Sequence, residues 1–268
     1  MIKNEIKIFL TSIMFYTRIP CPSFIDHSEE YLNKATRYFP LVGTIVGSLS
    51  FFSFLLTNLI FNEQISVLIS IATGIFVTGA FHEDGLADTF DGFGGGWTKE
   101  KILEIMKDSR IGAYGAISLI LSLLLKVLIL YSLILEINFY FSQNINLIIF
   151  LIFISYHSLS RLSAINIVFT SGYSRADDQS KSKPVAKNNT YIEIIIAYFW
   201  GITPFIFLCF FNLQYLPILP IIWLFSILST RYFIKHLEGY TGDCLGAVEQ
   251  LSELLCLFLF LGILSLQG

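Results

Sequence analysis

Residues 112–135, GAYGAISLILSLLLKVLILYSLIL, run for 24 positions with Lys126 as the only charge. An α-helix rises about 1.5 Å per residue, so the stretch reaches about 36 Å, enough for a hydrocarbon core of about 30 Å. Length and polarity together predict a transmembrane helix. Working outward, six further runs meet or approach that length: Tyr38–Ile60, Ile65–Phe81, Ile145–Phe169, Tyr191–Phe211, Leu216–Tyr232 and Gly246–Leu266. Ile65–Phe81 and Leu216–Tyr232 are short, which fits less tilt or a partly interfacial position. Composition agrees: the 268 residues are 54% hydrophobic and 14% charged, with a mean hydropathy of +0.69, where soluble domains carry about 25% charged residues. The sequence predicts an all-α, polytopic integral membrane helical bundle of about seven spans, forming a single membrane-embedded domain over 1–268.

The basic residues give an orientation. Lys3, Lys7, Arg18, Lys34 and Arg37 precede the first span, and Lys99, Lys101, Lys107 and Arg110 lie between the second and third. Arg175, Lys181, Lys183 and Lys187 lie between the fourth and fifth, and Arg231 and Lys235 close the sixth. The connections Phe61–Gln64, Glu136–Asn144 and Asn212–Tyr215 hold no Lys or Arg. Every second connection is basic, so the positive-inside rule places the N-terminus in the cytosol and the C-terminus outside. Of the basic residues, Lys126 and Arg161 alone fall in the interior of spans.

The apolar segment Ile6–Ile19, interrupted by Lys7 and closed by Arg18 and Pro20, is too short to span. It reads as an interfacial or re-entrant helix, and no small-residue cleavage site marks it as a signal peptide. The net charge of −3 and the lack of a basic stripe exclude nucleic acid as the expected partner. Cys21, Cys209, Cys244 and Cys256 lack paired metal spacing and read as structural thiols. The stretch Ser171–Thr190, rich in Ser, Lys, Asp and Asn, reads as a mobile loop.

The second span runs directly into His82-Glu83-Asp84-Gly85-Leu86-Ala87-Asp88-Thr89-Phe90-Asp91-Gly92-Phe93-Gly94-Gly95-Gly96. If the helix continues through it, Asp84, Asp88 and Asp91 stand at i, i+4 and i+7 on one face. Three carboxylates so placed suit a hard divalent cation such as Mg2+, which keeps waters and shares substrate phosphates. The other reading is a solvated rim on a protruding helix. Gly92 and Gly94–Gly96 are expected to end the helix and admit a ligand close to the backbone. Glu83 points away from the Asp84 face, and His82 reads either as a hydrogen-bonded structural histidine or as a proton carrier.

Downstream, Thr98 is placed to cap a short helix, Lys99–Lys107, whose Ile102, Leu103, Ile105 and Met106 suit the bilayer surface. It leads into Lys107-Asp108-Ser109-Arg110-Ile111-Gly112, where Lys107 and Arg110 suit a phosphate-bearing substrate or simple positive-inside anchoring. Asp108 is a candidate base for an attacking hydroxyl or an exposed helix cap. On the last span Glu249 and Glu253 are i, i+4, with Asp243 in the loop before them. Glu253 lies about 10 Å into that helix, too deep for an idle charge, and Arg161 is a candidate partner.

In this order, Thr17-Arg18-Ile19-Pro20, Tyr38-Phe39-Pro40-Leu41-Val42-Gly43, the stretch His82 to Gly92, Ile105-Met106-Lys107-Asp108-Ser109-Arg110-Ile111-Gly112, and Thr241-Gly242-Asp243 with Leu245-Gly246-Ala247 and Glu249 resemble the adenosylcobinamide-GDP ribazoletransferase, or cobalamin synthase, family. The resemblance runs from about Phe15 to Glu253. It implies a Mg2+-dependent enzyme of the bacterial inner membrane with a cytosolic active site. Its substrates would be adenosylcobinamide-GDP and α-ribazole or the 5′-phosphate, with GMP released. The expected metal ligands are then Asp84, Asp88 and Asp91. Asp108 joins them in catalysis, and Arg18, Lys107, Arg110, Arg161, Asp243 and Glu249 form the expected substrate-binding set. No protein nucleophile is evident. The lipid bilayer is a partner by composition, and a homo-oligomer is left open. Two other functions compete: a CDP-alcohol phosphotransferase, whose pattern has Ala-Arg where Asp88-Thr89 stands, and a cation transporter lined by Asp84, Asp88, Glu249 and Glu253.

Overall fold

A break at Gly79–Ala80 shapes the molecule. The computed structural model describes residues 2–22, 25, 28–174 and 190–267, with side chains from residue 4 onward. Of the loop expected over Ser171–Thr190, residues 175–189, including Arg175, Lys181, Lys183 and Lys187, lie outside the described residues, as does the Lys3 side chain. The helices are α1 (Ile2–Tyr16), α2 (Glu29–Ala35), α3 (Phe39–Thr57), α4 (Glu63–Thr78), α5 (Phe81–Gly95), α6 (Lys99–Met106), α7 (Ala113–Tyr140), α8 (Ile145–Thr170), α9 (Tyr191–Cys209), α10 (Ile218–Leu237) and α11 (Gly242–Ser265). Among the described residues there is no strand, only an isolated bridge between Tyr173 and Tyr240.

Six helical runs are long and apolar enough to cross a membrane among the described residues, and the bent pair α4–α5 makes a seventh when counted as one span. The protein is therefore a multi-pass membrane protein. Each predicted span has its helix. The second differs in form: α4 has 16 residues, about 24 Å of rise, short of the hydrocarbon core. Asn62 caps its start by accepting from the Ile65 N–H at 3.0 Å. At its end Gly79 (φ 68°) and Ala80 (φ 58°) are both left-handed, and α5 leaves at 88°. The helix does not run straight through the acidic motif, as the sequence suggested. α5 thus runs nearly perpendicular to α4.

α8 is the central helix, buried over nearly its whole length. Gly43 and Gly47, four apart on α3, bring it against α8: a Cβ would stand 2.3 Å from the His157 carbonyl at Gly43 and 2.6 Å from that of Phe153 at Gly47. Small residues at this spacing let membrane helices approach closely. α6 is capped by Thr98 as expected. Its Ile102 and Met106 are buried in the protein core rather than turned to the bilayer.

Candidate active site

The bend and one helix crossing build the site. Arg18 follows α1, and its N–H donates to the Val77 carbonyl at 2.7 Å. Its side chain lies over Gly79, where a Cβ would stand 2.4 Å from Nε. Gly79 thus serves both the left-handed turn and the close approach of the arginine. α5 crosses α11 at Gly85 and Gly246, where a Cβ on Gly85 would stand 2.9 Å from the Asp243 carbonyl and 3.2 Å from the Gly246 Cα. This places Asp84 and Asp243 on one cavity of about 260 Å3, lined besides by six aromatic side chains, His82, Thr36 and the aliphatic Ile165, Val168 and Leu245. A second cleft, of about 490 Å3, is lined by Thr17, Arg18, Thr78, Gly79 and Phe81. Asp84 is exposed and lines both.

The three aspartates of α5 are not gathered at one point. Among the described residues, the trio whose ligand atoms lie within 4.8 Å of one another is His157, Glu249 and Glu253. Asp88 is half-buried one turn beyond Asp84. Asp91 is buried and engaged elsewhere, its carboxylate accepting from the Gly112 N–H at 2.7 Å and the Gly115 N–H at 2.8 Å. It caps α7 from across the fold. Gly92, Gly94 and Gly96 admit protein rather than ligand: a Cβ at each would meet Met106, Tyr114 and Ile102, respectively, at 2.4–2.7 Å.

Beneath α5 lies a buried ionic network that the sequence outlined only in part. Glu253 accepts from Lys126 Nζ at 2.6 Å and faces His157 Nδ1 at 2.6 Å; Arg161 Nη1 is 2.7 Å from Glu249 and 3.4 Å from Glu253. Gln250 bridges Lys126 at 2.8 Å and Glu249 at 2.9 Å. Two carboxylates thus face two cations, and the trio of His157, Glu249 and Glu253 is an ion-pair core rather than an open metal cage. Arg161 and Glu249 are essentially inaccessible and line neither cleft that Asp84 shares, which separates them from the substrate-binding set expected of them. Glu83, expected to point away from the Asp84 face, is buried over this network and lines a small cavity with His82, Lys126 and Glu253. His82 is buried 3.7 Å from Glu249, and neither of its ring nitrogens has a hydrogen-bond partner among the described residues. The signal for the network was Lys126 alone in an apolar span.

Lys107, Asp108 and Arg110 also line neither cleft. Arg110 donates to Asp108 at 2.6 Å, and these side-chain hydrogen bonds hold the Asp108 carboxyl down at about 2. A carboxylate so stabilised is a weak proton acceptor. In this structure Asp108 closes the turn before α7, accepting from the Arg110 N–H at 3.1 Å.

A helical membrane bundle whose carboxylates converge from two helices on paired surface clefts defines the class: a polytopic membrane protein built for small-molecule chemistry at one face. The chain belongs to the cobalamin-5-phosphate synthase family, whose model matches residues 8–261. It is accordingly a transferase of cobalamin synthesis. It is 42% identical over 260 residues to an adenosylcobinamide-GDP ribazoletransferase of Shewanella frigidimarina, covering 97% of this chain and 96% of that one. Enzymes of the same name from Shewanella baltica (42%) and Shewanella sp. strain W3-18-1 (43%) match over 258 residues, 96% of this chain and 95% of theirs. No solved structure matches the chain.

Proposed function

We propose that this protein joins adenosylcobinamide-GDP to α-ribazole or its 5′-phosphate and releases GMP, acting from the cytosolic face of the bacterial inner membrane with Mg2+. The observation that carries the reading is Asp84, exposed on the wall common to two clefts of unlike character. One offers Arg18, whose guanidinium suits phosphate oxygens. The other offers Asp243 and an aromatic interior. A reaction between a diphosphate and a nucleoside needs two such compartments meeting at one acidic point.

The donor set suits Mg2+, which takes one or two carboxylates plus substrate phosphates and waters. Asp84, with Asp88 one turn along α5, would hold it. When bound, the ion supplies neutralisation of the diphosphate and of the leaving GMP. The rest falls to the chain. Arg18 orients the diphosphate, and Asp243 fixes the rim of the nucleoside cleft. A hydroxyl of the nucleoside attacks the cobinamide-side phosphorus, the bond to the GMP oxygen breaks, and the hydroxyl proton is released. Asp91 supports the site by tying α5 to α7, and Lys107 and Arg110 lie outside it.

Purified protein in detergent should release GMP only when α-ribazole or its phosphate, adenosylcobinamide-GDP and Mg2+ are all present. GMP release without the nucleoside, or undiminished turnover after chelation, would overturn the reading.

A further inference from the structure

The cavity of about 260 Å3 beside Asp84 is walled by Phe15, Tyr16, Phe39, Phe81, Tyr173 and Tyr240. These rings come from four separate places: the end of α1, the start of α3, the start of α5, and the paired turns after α8 and before α11. Tyr16 stacks on Phe39 with centroids 4.1 Å apart and planes at 28°, while Tyr173 meets Tyr240 edge-on at 5.4 Å. The last two are fixed by backbone bonds, Ser174 N–H to the Tyr240 carbonyl at 2.8 Å and Tyr240 N–H to the Gly172 carbonyl at 3.0 Å. The walls are therefore preformed, as small-molecule pockets usually are.

Two features choose the ligand. The volume is near the lower end of small-molecule pockets, about 300–1,000 Å3, which admits one nucleoside and excludes a corrinoid ring. The interior is apolar and flat-sided, which suits stacking of a planar ring. Its polar groups are few, chiefly Thr36, Asp84 and Asp243, which suits a base with little hydrogen-bonding edge better than guanine. His82, 2% exposed, stands in this wall with its Nδ1 turned away toward Glu249, 3.7 Å distant.

We infer that this aromatic cavity is the subsite for the benzimidazole base of α-ribazole, with the base stacked among Tyr16, Tyr173 and Tyr240. The assignment rests on the reaction proposed above and adds which substrate lies where. The guanosine diphosphate half is left to the Arg18 cleft, and Asp84 stands where the two meet.

The test compares Tyr173→Leu, Tyr240→Phe and Tyr240→Leu with wild type. Two quantities are read: the KM for each substrate, and α-ribazole binding in detergent without the second substrate, by quenching of the benzimidazole fluorescence. Tyr173→Leu and Tyr240→Leu should raise the α-ribazole KM and dissociation constant about tenfold, with the KM for adenosylcobinamide-GDP unchanged. Tyr240→Phe, which keeps the ring, should bind as wild type and reports that the fold tolerates change there. GMP should not displace α-ribazole. Loss of affinity confined to adenosylcobinamide-GDP, or displacement by GMP, would overturn the assignment while leaving the proposed reaction intact. Wild-type protein that binds α-ribazole in this cavity yet makes no product would instead overturn the reaction and keep the subsite.

Discussion

The Asp91 carboxylate accepts the Gly115 N–H at 2.8 Å while also holding the Gly112 N–H, so a side chain of α5 supplies the cap that α7 lacks locally. A helix N-terminus leaves unpaired donors, and Gly112 has no side chain with which to take them. Glycine is required at both positions by space: a Cβ on Gly112 or Gly115 would stand 2.4 or 2.3 Å from an Asp91 oxygen. Asp91→Ala should therefore destabilise the protein by about 1–3 kcal/mol through buried unpaired N–H groups. Gly115→Ala should do the same by forcing the carboxylate away. Thermal unfolding in detergent checks both. The Mg2+ concentration for half-maximal rate should not move in either variant, and a shift of about tenfold in Asp91→Asn would return Asp91 to the metal site.

Asp84 and Asp88 are predicted to behave differently. Asp84→Asn and Asp88→Asn should each reduce turnover about 100-fold or more and raise the Mg2+ requirement. Their unfolding should match wild type, since Asp84 is exposed and Asp88 half-buried. Wild-type rate at limiting Mg2+ would remove either residue from the site.

Asp108 gives a prediction in pH. Hydrogen bonds from Arg110 depress its carboxyl to about 2, so the pair is present above the ordinary carboxylate range and is lost only as pH falls through about 2. Asp108 thus keeps its charge across the whole working range, and a limb of the rate profile near neutrality belongs to another group. Asp108→Asn should leave the acid limb in place and lower the rate less than about tenfold. Disappearance of that limb would restore Asp108 as the base.

The spans were legible because bilayer thickness fixes a length that apolar runs must meet, and the runs around residues 38, 112, 145, 191, 218 and 242 each became a helix. The 88° bend was not. Gly79 suggests a stop, but nothing in Ala80 announces a second left-handed residue. Asp84 and Asp243 stood out as acids near apolar spans, whereas Tyr16, Phe39 and Tyr240 read as ordinary core aromatics until three elements folded around one cavity. Asp91 followed the helical period onto the Asp84 face, and two glycine N–H groups 21 and 24 residues away claimed it. Such tertiary hydrogen bonds leave no local trace.

The topology follows from the one-sided distribution of Lys and Arg. With the native cysteines replaced, single cysteines at Gln64, Ser142 and Gln267 should react with an impermeant thiol reagent from outside intact cells. One at Thr98 should react only after permeabilisation. Labelling of Thr98 in intact cells would reverse the assignment of the clefts to the cytosol.

Lys126 and Glu253 join α7 to α11 at 2.6 Å, deep in the bundle, and both are nearly inaccessible. A buried charge that loses its partner costs more than the pair was worth, about 3–5 kcal/mol, because the survivor remains desolvated. Glu253→Gln should therefore be strongly destabilising: Lys126 keeps only Gln250, and His157 loses its carboxylate. Lys126→Met should be milder, since Glu253 retains His157 and Arg161. The double variant removes one charge of each sign and should be more stable than Glu253→Gln alone, although it carries one more substitution. Chemical unfolding in detergent measures all three. A Glu253→Gln protein within about 0.5 kcal/mol of wild type would mean that water reaches the pair, and additive losses in the double variant would mean that the two residues are not coupled.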